Sequence, residues 1–106
     1  MTRLVLLRHG ETTWNRAGRV QGQLDPPLSE LGRCQARRAA DALAGSQVTA
    51  IHTSDLRRAR ETAAAVEAGT GVPARPAELL REHHMGTWQG LTPDAIRAAH
   101  PDAWAA

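Results

Sequence analysis

The sequence predicts an α/β fold with its strands parallel in one sheet, and three observations carry that prediction. The first is an apolar run, Leu4–Leu7, short and flanked by arginine, in the style of a strand buried on both faces. The second is a pair of helical patterns, one beginning near Ser29 and one near Asp55. The third is the β-branched stretch VTAIHTS at 48–54, which separates them. Strand, helix, strand, helix is the alternation that right-handed crossovers turn into a parallel sheet.

Each element has its own signal. After Leu4–Leu7, the segment GRVQGQLDPPL reads as a loop because glycine and proline punctuate it. Ser29 is the predicted cap of the first long helix, with Glu30 in the first turn, where the helix dipole favours an anion. Leu31, Cys34, Ala39, Ala42 and Leu43 fall near one face and are the predicted core stripe, and Gly45 is the predicted stop. Ser54 or Asp55 is the predicted cap of the next helix, which runs to about Ala68 before Gly69 and Gly71. VPARPAEL is extended, MGTWQGLTP is a loop, and Thr92 or Pro93 starts a final helix reaching Ala99.

The chain has 106 residues, 42% of them hydrophobic, which suits one small domain or part of a larger one. Its 13 basic residues are all arginine, and Phe and Tyr are absent. Genomic compositional bias accounts for that pattern, but the planar guanidinium also grips phosphate oxygens two at a time. A net charge of +2, with arginines scattered among acids, argues against a nucleic-acid partner. The first apolar run is too short for a signal-peptide core, and no later stretch is long enough to span a membrane, so a cytoplasmic protein is expected. Cys34 is the sole cysteine, which excludes an internal disulfide and a cysteine-based metal site.

The chemistry concentrates where strands end. In open parallel sheets, ligands sit beyond the carboxyl ends of the strands. Arg8 and His9 follow the first strand; Arg57, Arg58 and Arg60 follow the second within two turns. Two segments therefore bring cations to one edge, where a helix start adds backbone N–H groups, and a phosphoryl group fits there. Nearby arginines favour the neutral, nucleophilic imidazole of His9. Gly10, lacking a Cβ, is expected to let the backbone turn sharply and approach a ligand. Attack of His9 on phosphorus would give a phosphohistidine, with Arg8 and Arg58 neutralising the equatorial oxygens. Glu82, after an apolar pair and before a glycine loop, is the best-placed carboxyl to serve the leaving oxygen. No metal is expected, since His83 and His84 are adjacent and could hardly chelate one ion together.

RHGET followed by WN, then QGQLDPPLSELG, SDLRRARET and LREHHMGTWQG, together resemble the ordered signature of the histidine phosphatase superfamily. That group includes cofactor-dependent phosphoglycerate mutases, broad acid phosphatases and ribazole phosphatases. The resemblance runs from residue 3 to about 92. It implies a phosphoglycerate mutase-like, three-layer sandwich, a mainly parallel sheet flanked by helices. It assigns the phosphorylated histidine to His9, the phosphate-gripping arginines to Arg8 and Arg58, and the proton donor to Glu82. It also places Asn15, Gln21, Gly22 and, in some branches, Arg60 along the substrate pocket, and it implies no metal.

The family's second histidine, in a glycine-flanked turn after a later strand, has no counterpart past Trp88. Residues 1–106 therefore resemble the N-terminal part of a single, apparently truncated, histidine phosphatase domain. Such a piece would expose sheet edges, so a homodimer or a domain-swapped pair is expected. Among the remaining residues, Arg57 reads as a solvated helix residue and His52 as structural or partly exposed. His83 and His84 read as loop residues near the pocket mouth, Trp14 and Trp88 as packing under the site loops. Trp104 reads as cover for a core face or an interface, and Cys34 as core.

Three functions stay open. A phosphatase acting on a small phosphorylated metabolite is favoured by VQG and EHHMG, where mutases carry different pairs. A phosphoglycerate mutase, which would use 2,3-bisphosphoglycerate, is the alternative within the same chemistry. A non-catalytic phosphate-binding module is the third.

Overall fold

A sheet of two short parallel strands carries α3, and α3 in turn carries α2, in this computed structural model, which describes residues 3–82, 84–99 and 101–102. The elements are α1 (Thr13–Ala17), α2 (Glu30–Leu43), β1 (Ile51–Ser54), α3 (Arg57–Thr70), β2 (Ala74–Ala77) and α4 (Pro93–Ala99). Single 3₁₀ turns at Glu78–Leu80 and Gly86–Trp88 lie between β2 and α4. β1 and β2 pair in parallel, with Ile51 opposite Ala74 and Ser54 opposite Ala77. The α/β class read from the sequence is therefore the one observed, with a small parallel sheet flanked by helices.

The helices begin where local chemistry lets them. Ser29 Oγ accepts the Gly32 N–H at 3.1 Å, so α2 starts at the expected cap. Thr92 Oγ1 accepts the Ala95 N–H at 3.2 Å ahead of Pro93, which suits a first helical position. α3 is capped differently from the expectation. Its N-cap is Leu56, whose side chain makes no cap bond, and Ser54 Oγ accepts the Leu56 N–H at 3.2 Å. The Arg57 N–H donates instead to the carboxylate of Asp25, so a loop far back in the chain completes the helix start.

Two readings are corrected and two are extended. Leu4–Leu7 is not a strand: it forms no ladder, and these residues are 81%, 56%, 86% and 44% exposed. A strand exists only as half of a pair, and among the described residues β1 pairs with β2 alone. The core face of α2 is also different. Gly32, Ala36 and Ala40 are buried, while Leu31 and Cys34 are exposed. The stripe has helical spacing, but α2 turns its smallest side chains toward α3, where a Cβ on Gly69 would come within 3.6 Å of the Ala40 carbonyl. Cys34 consequently lies outside, its Sγ accepting from Arg37 Nη2 at 3.2 Å.

The third is α1, in a stretch for which the sequence reading assigned no element. Thr12 Oγ1 accepts the Asn15 N–H at 3.0 Å, and Asn15 Oδ1 accepts the Thr12 N–H at 3.0 Å, a reciprocal cap. The fourth adds a packing role for Gly10, whose backbone stays out of the left-handed region. Its close approach is to α2: a Cβ there would lie 2.3 Å from the Gly32 carbonyl oxygen, and one on Gly32 only 1.9 Å from that of Glu11. The two glycines let the His9 loop press directly on the start of α2. Predictions for His83 and Trp104 fall outside the described residues.

Candidate active site

His9 stands at the end of the N-terminal segment, half-buried, with its ring fixed by the backbone. Nδ1 lies 2.7 Å from the Gly10 carbonyl. A carbonyl only accepts, so Nδ1 carries the proton and Nε2 presents its lone pair. Burial pushes the imidazole below its ordinary value of 6.5, and the Gly10 hydrogen bond opposes that. Arg58 and then Arg8 push it further down, while Glu82 pulls it up. The net result favours a neutral ring with its lone pair on Nε2.

Arg58 is 4% exposed although it is a charged residue. Its Nη2 donates to the Gly22 carbonyl at 2.7 Å and its Nη1 to the Leu24 carbonyl at 3.1 Å. Burial pushes the guanidinium down from its ordinary value, but the carboxylates of Glu82 and Asp25 support the charge, and arginine stays ionised in any case. Two carbonyls hold the fork in place while leaving it further N–H donors for an anion.

The carboxyl-bearing segment is fastened to the same loop. Gln23 Nε2 donates to the Glu82 carbonyl at 3.2 Å, and Gln89 Oε1 accepts the N–H groups of Gln23 (2.8 Å) and Met85 (3.2 Å). Arg81 grips Asp55 bidentately at 2.6 and 2.7 Å, which pins the residue preceding Glu82 to the start of α3. That hydrogen-bonded pairing holds the Asp55 carboxyl below the usual carboxylate range. Val20 and Gly90 exchange backbone bonds with Leu91 and Val20 at 2.8 and 2.7 Å, and Trp14 packs beside Gly90.

A cavity of about 430 Å³ opens beside the nucleophile, lined by Arg8, His9, Asn15, Gln35, Ala36 and Thr62 among others. Arg58 and Glu82 act on His9 electrostatically but do not line this hollow. Gln21 Oε1 accepts from Thr12 Oγ1 at 2.5 Å, and Gly22 supplies the carbonyl that holds Arg58. Arg60 is not brought to the group: it lines a separate cavity of about 200 Å³ with Thr53, Glu67 and Pro76. Arg57 is exposed and paired with Glu61 at 2.6 Å, and His52 is exposed. His84 Nδ1 accepts the Gly86 N–H at 3.0 Å. Among the described residues, no group of three His, Cys, Asp or Glu side chains is placed to hold a metal ion. No helix among them is long and apolar enough to cross a membrane.

Sequence reading did not single out Thr62, Asp25, Gln89 or the Asp55–Arg81 pair. Thr62 carried a signal, one turn after Arg58 on the same helix; the others depend on long-range contacts without local signature.

The family model of the histidine phosphatase superfamily (branch 1) matches residues 4–106. The chain belongs to this superfamily. It is 52% identical over 101 residues, 95% of its length, to the glucosyl-3-phosphoglycerate phosphatase of Mycobacterium tuberculosis, and spans 45% of that protein. It is 41% identical over 109 residues to the metal-independent phosphoserine phosphatase of Arabidopsis thaliana, covering 100% of this chain and 45% of that one. Among solved structures, the mycobacterial glucosyl-3-phosphoglycerate phosphatase in complex with VO3 superposes with a TM-score of 0.85 and 50% identity, over 90% of this chain and 46% of that one. The histidine phosphatase chain described here thus spans a little under half the length of the relatives it matches.

Proposed function

We propose that this chain carries the nucleophile and the phosphate-binding cations of a phosphomonoesterase whose substrate is a small phosphorylated metabolite. His9 Nε2 attacks phosphorus, the P–O bond to the alcohol breaks, and the Glu82 carboxyl protonates the departing oxygen. Water then attacks the phosphohistidine, giving its proton to the Glu82 carboxylate, and the N–P bond breaks to release inorganic phosphate and the free ring. Arg8 and Arg58 neutralise the transferring group, the largest service a protein can render this reaction.

The observation that supports this reading is the Arg58 guanidinium, buried, held by two carbonyls, and acting electrostatically on both His9 and Glu82. The names of the relatives add that phosphate esters of glyceric acid and of serine are handled by such proteins. Incubation with a phosphodonor tests the proposal. An acid-labile phosphate on His9, lost in His9→Asn, with release of inorganic phosphate supports hydrolysis. Isomerisation of a phosphoglycerate with little phosphate release makes the chain a mutase. Binding of phosphate without labelling makes it a non-catalytic module.

A further inference from the structure

Gly10 is held from three directions. Its N–H donates to Thr62 Oγ1 at 3.0 Å, its carbonyl takes the His9 Nδ1 proton at 2.7 Å, and its α-carbon abuts the backbone of Gly32. The Thr62 hydroxyl is buried and donates to the Arg58 carbonyl at 2.8 Å, one helical turn back. A hydroxyl has one proton and two lone pairs, so that donation leaves it able to accept from Gly10. One oxygen therefore ties the backbone of the His9 loop to the backbone of Arg58.

We propose that Thr62 is a positioning residue whose hydroxyl sets the His9 imidazole against the Arg58 guanidinium and, through Gly10, keeps the ring in its Nδ1–H form. Its kinetic consequence rests on the phosphohydrolase reading above; its consequence for the ring does not. Gly10 is buried, so losing this acceptor leaves its N–H without its hydrogen bond, and the loop shifts to find another partner. That shift moves the Gly10 carbonyl, and with it the proton on Nδ1. A displacement of this size at a nucleophile costs about ten- to a hundredfold in rate.

A purely packing role predicts a different order of variants. Thr62→Val keeps the shape and removes the hydroxyl; Thr62→Ser keeps the hydroxyl and removes the methyl. Packing ranks valine with threonine and serine below them, whereas positioning ranks serine with threonine and valine below. The purified protein and both variants are compared by kcat and KM on p-nitrophenyl phosphate and by ¹⁵N NMR of the His9 ring. The expected result is a kcat about ten- to a hundredfold lower for Thr62→Val, with KM changed far less. Its His9 nitrogens also leave the Nδ1–H pattern, and Thr62→Ser restores both. Should the valine variant not fold, Thr62→Ser against Thr62→Ala gives the same contrast, since those two differ by the hydroxyl alone. Wild-type rate and wild-type ring signals in the hydroxyl-free variants overturn the proposal, as does equal damage in the serine variant. If the wild type shows no turnover, the hydrolase reading fails while the NMR order still decides the role of Thr62.

Discussion

Arg58 Nη2 donates to the Gly22 carbonyl at 2.7 Å, a bond that spans 36 positions of sequence and moors a helix cation to a loop. With the Leu24 carbonyl taking Nη1, the guanidinium plane is fixed before any ligand arrives. A lysine at this position keeps the charge but loses the fork, because an ammonium is a point donor on a flexible stem. Arg58→Lys is expected to lower kcat about a thousandfold, on the scale of losing a phosphate-stabilising arginine. Stability should fall by only about 1 kcal/mol for the lost carbonyl bond. Steady-state rates and a thermal melt measure the two; turnover within tenfold of wild type would mean that the charge alone suffices.

Gly22 itself sits at φ +54, and a Cβ there would meet Gln89 Oε1 at 2.3 Å and Met85 Cγ at 2.9 Å. Gly22→Ala therefore brings two costs, a left-handed backbone with a side chain and a clash with the clamp on the Glu82 segment. The backbone part is about 1–3 kcal/mol. The tightest clash falls on the end of Gln89, so Gln89→Ala in the same molecule should relieve that part and leave the Met85 contact and the backbone part behind. Denaturant melts of the single and double variants check this; full recovery in the double variant would show that the backbone is not strained.

On the proposed mechanism, His9 is expected to set the acid limb of turnover. Folding lowers its pKa below 6.5, chiefly by burial and then by Arg58 and Arg8, so the unfolded chain binds the proton more readily than the folded one. Stability from this group is thus present above 6.5 and is lost as pH falls through the folded value. The rate should follow the same limb, staying high below 6.5 before it drops. Arg8→Ala should move the limb upward, but only part of the way, because burial is the first cause and remains. A kcat/KM profile measures the shift, and a limb that moves down instead would show that Arg8 does not act on the ring.

Much of this site was legible because its signals are local. Ser29 as a cap and Pro93 near a helix start follow from short-range chemistry; Arg8 and Arg58 both act on His9 electrostatically, although Leu4–Leu7 ahead of them is not the strand from which that grouping was argued. Cys34 and Leu4–Leu7 were misread, and the packing of Gly10 went unread, for one shared reason. Each depends on what lies opposite in space: Gly32 against Gly10, α3 against the small face of α2, and a strand partner that Leu4–Leu7 does not have. The Asp25 cap on α3 and the Gln89 clamp join segments distant in sequence, and no pattern of spacing announces them. Arg60 shows the converse, since its motif context suggested the pocket while the pitch of α3 carries it to the other cavity.

Leu4 and Leu6 are 81% and 86% exposed, whereas Val5 and Leu7 are less so, and Leu7 reaches the cavity beside His9. Exposure that alternates with a period of two belongs to an extended segment with one uncovered apolar face, and among the described residues the sheet has two strands. Burying one leucine side chain gains about 1.5–3 kcal/mol, so a second copy of the chain laid against this face would be stabilised by several such contacts. The purified chain is therefore expected to self-associate, with a weight-average mass that rises with concentration in light scattering. Leu6→Lys places a charge in the middle of the face and should shift the chain toward monomer without touching the His9 ring signals. A concentration-independent monomer in the unmodified chain would show that the face is satisfied in some other way, and the lysine variant would then change nothing.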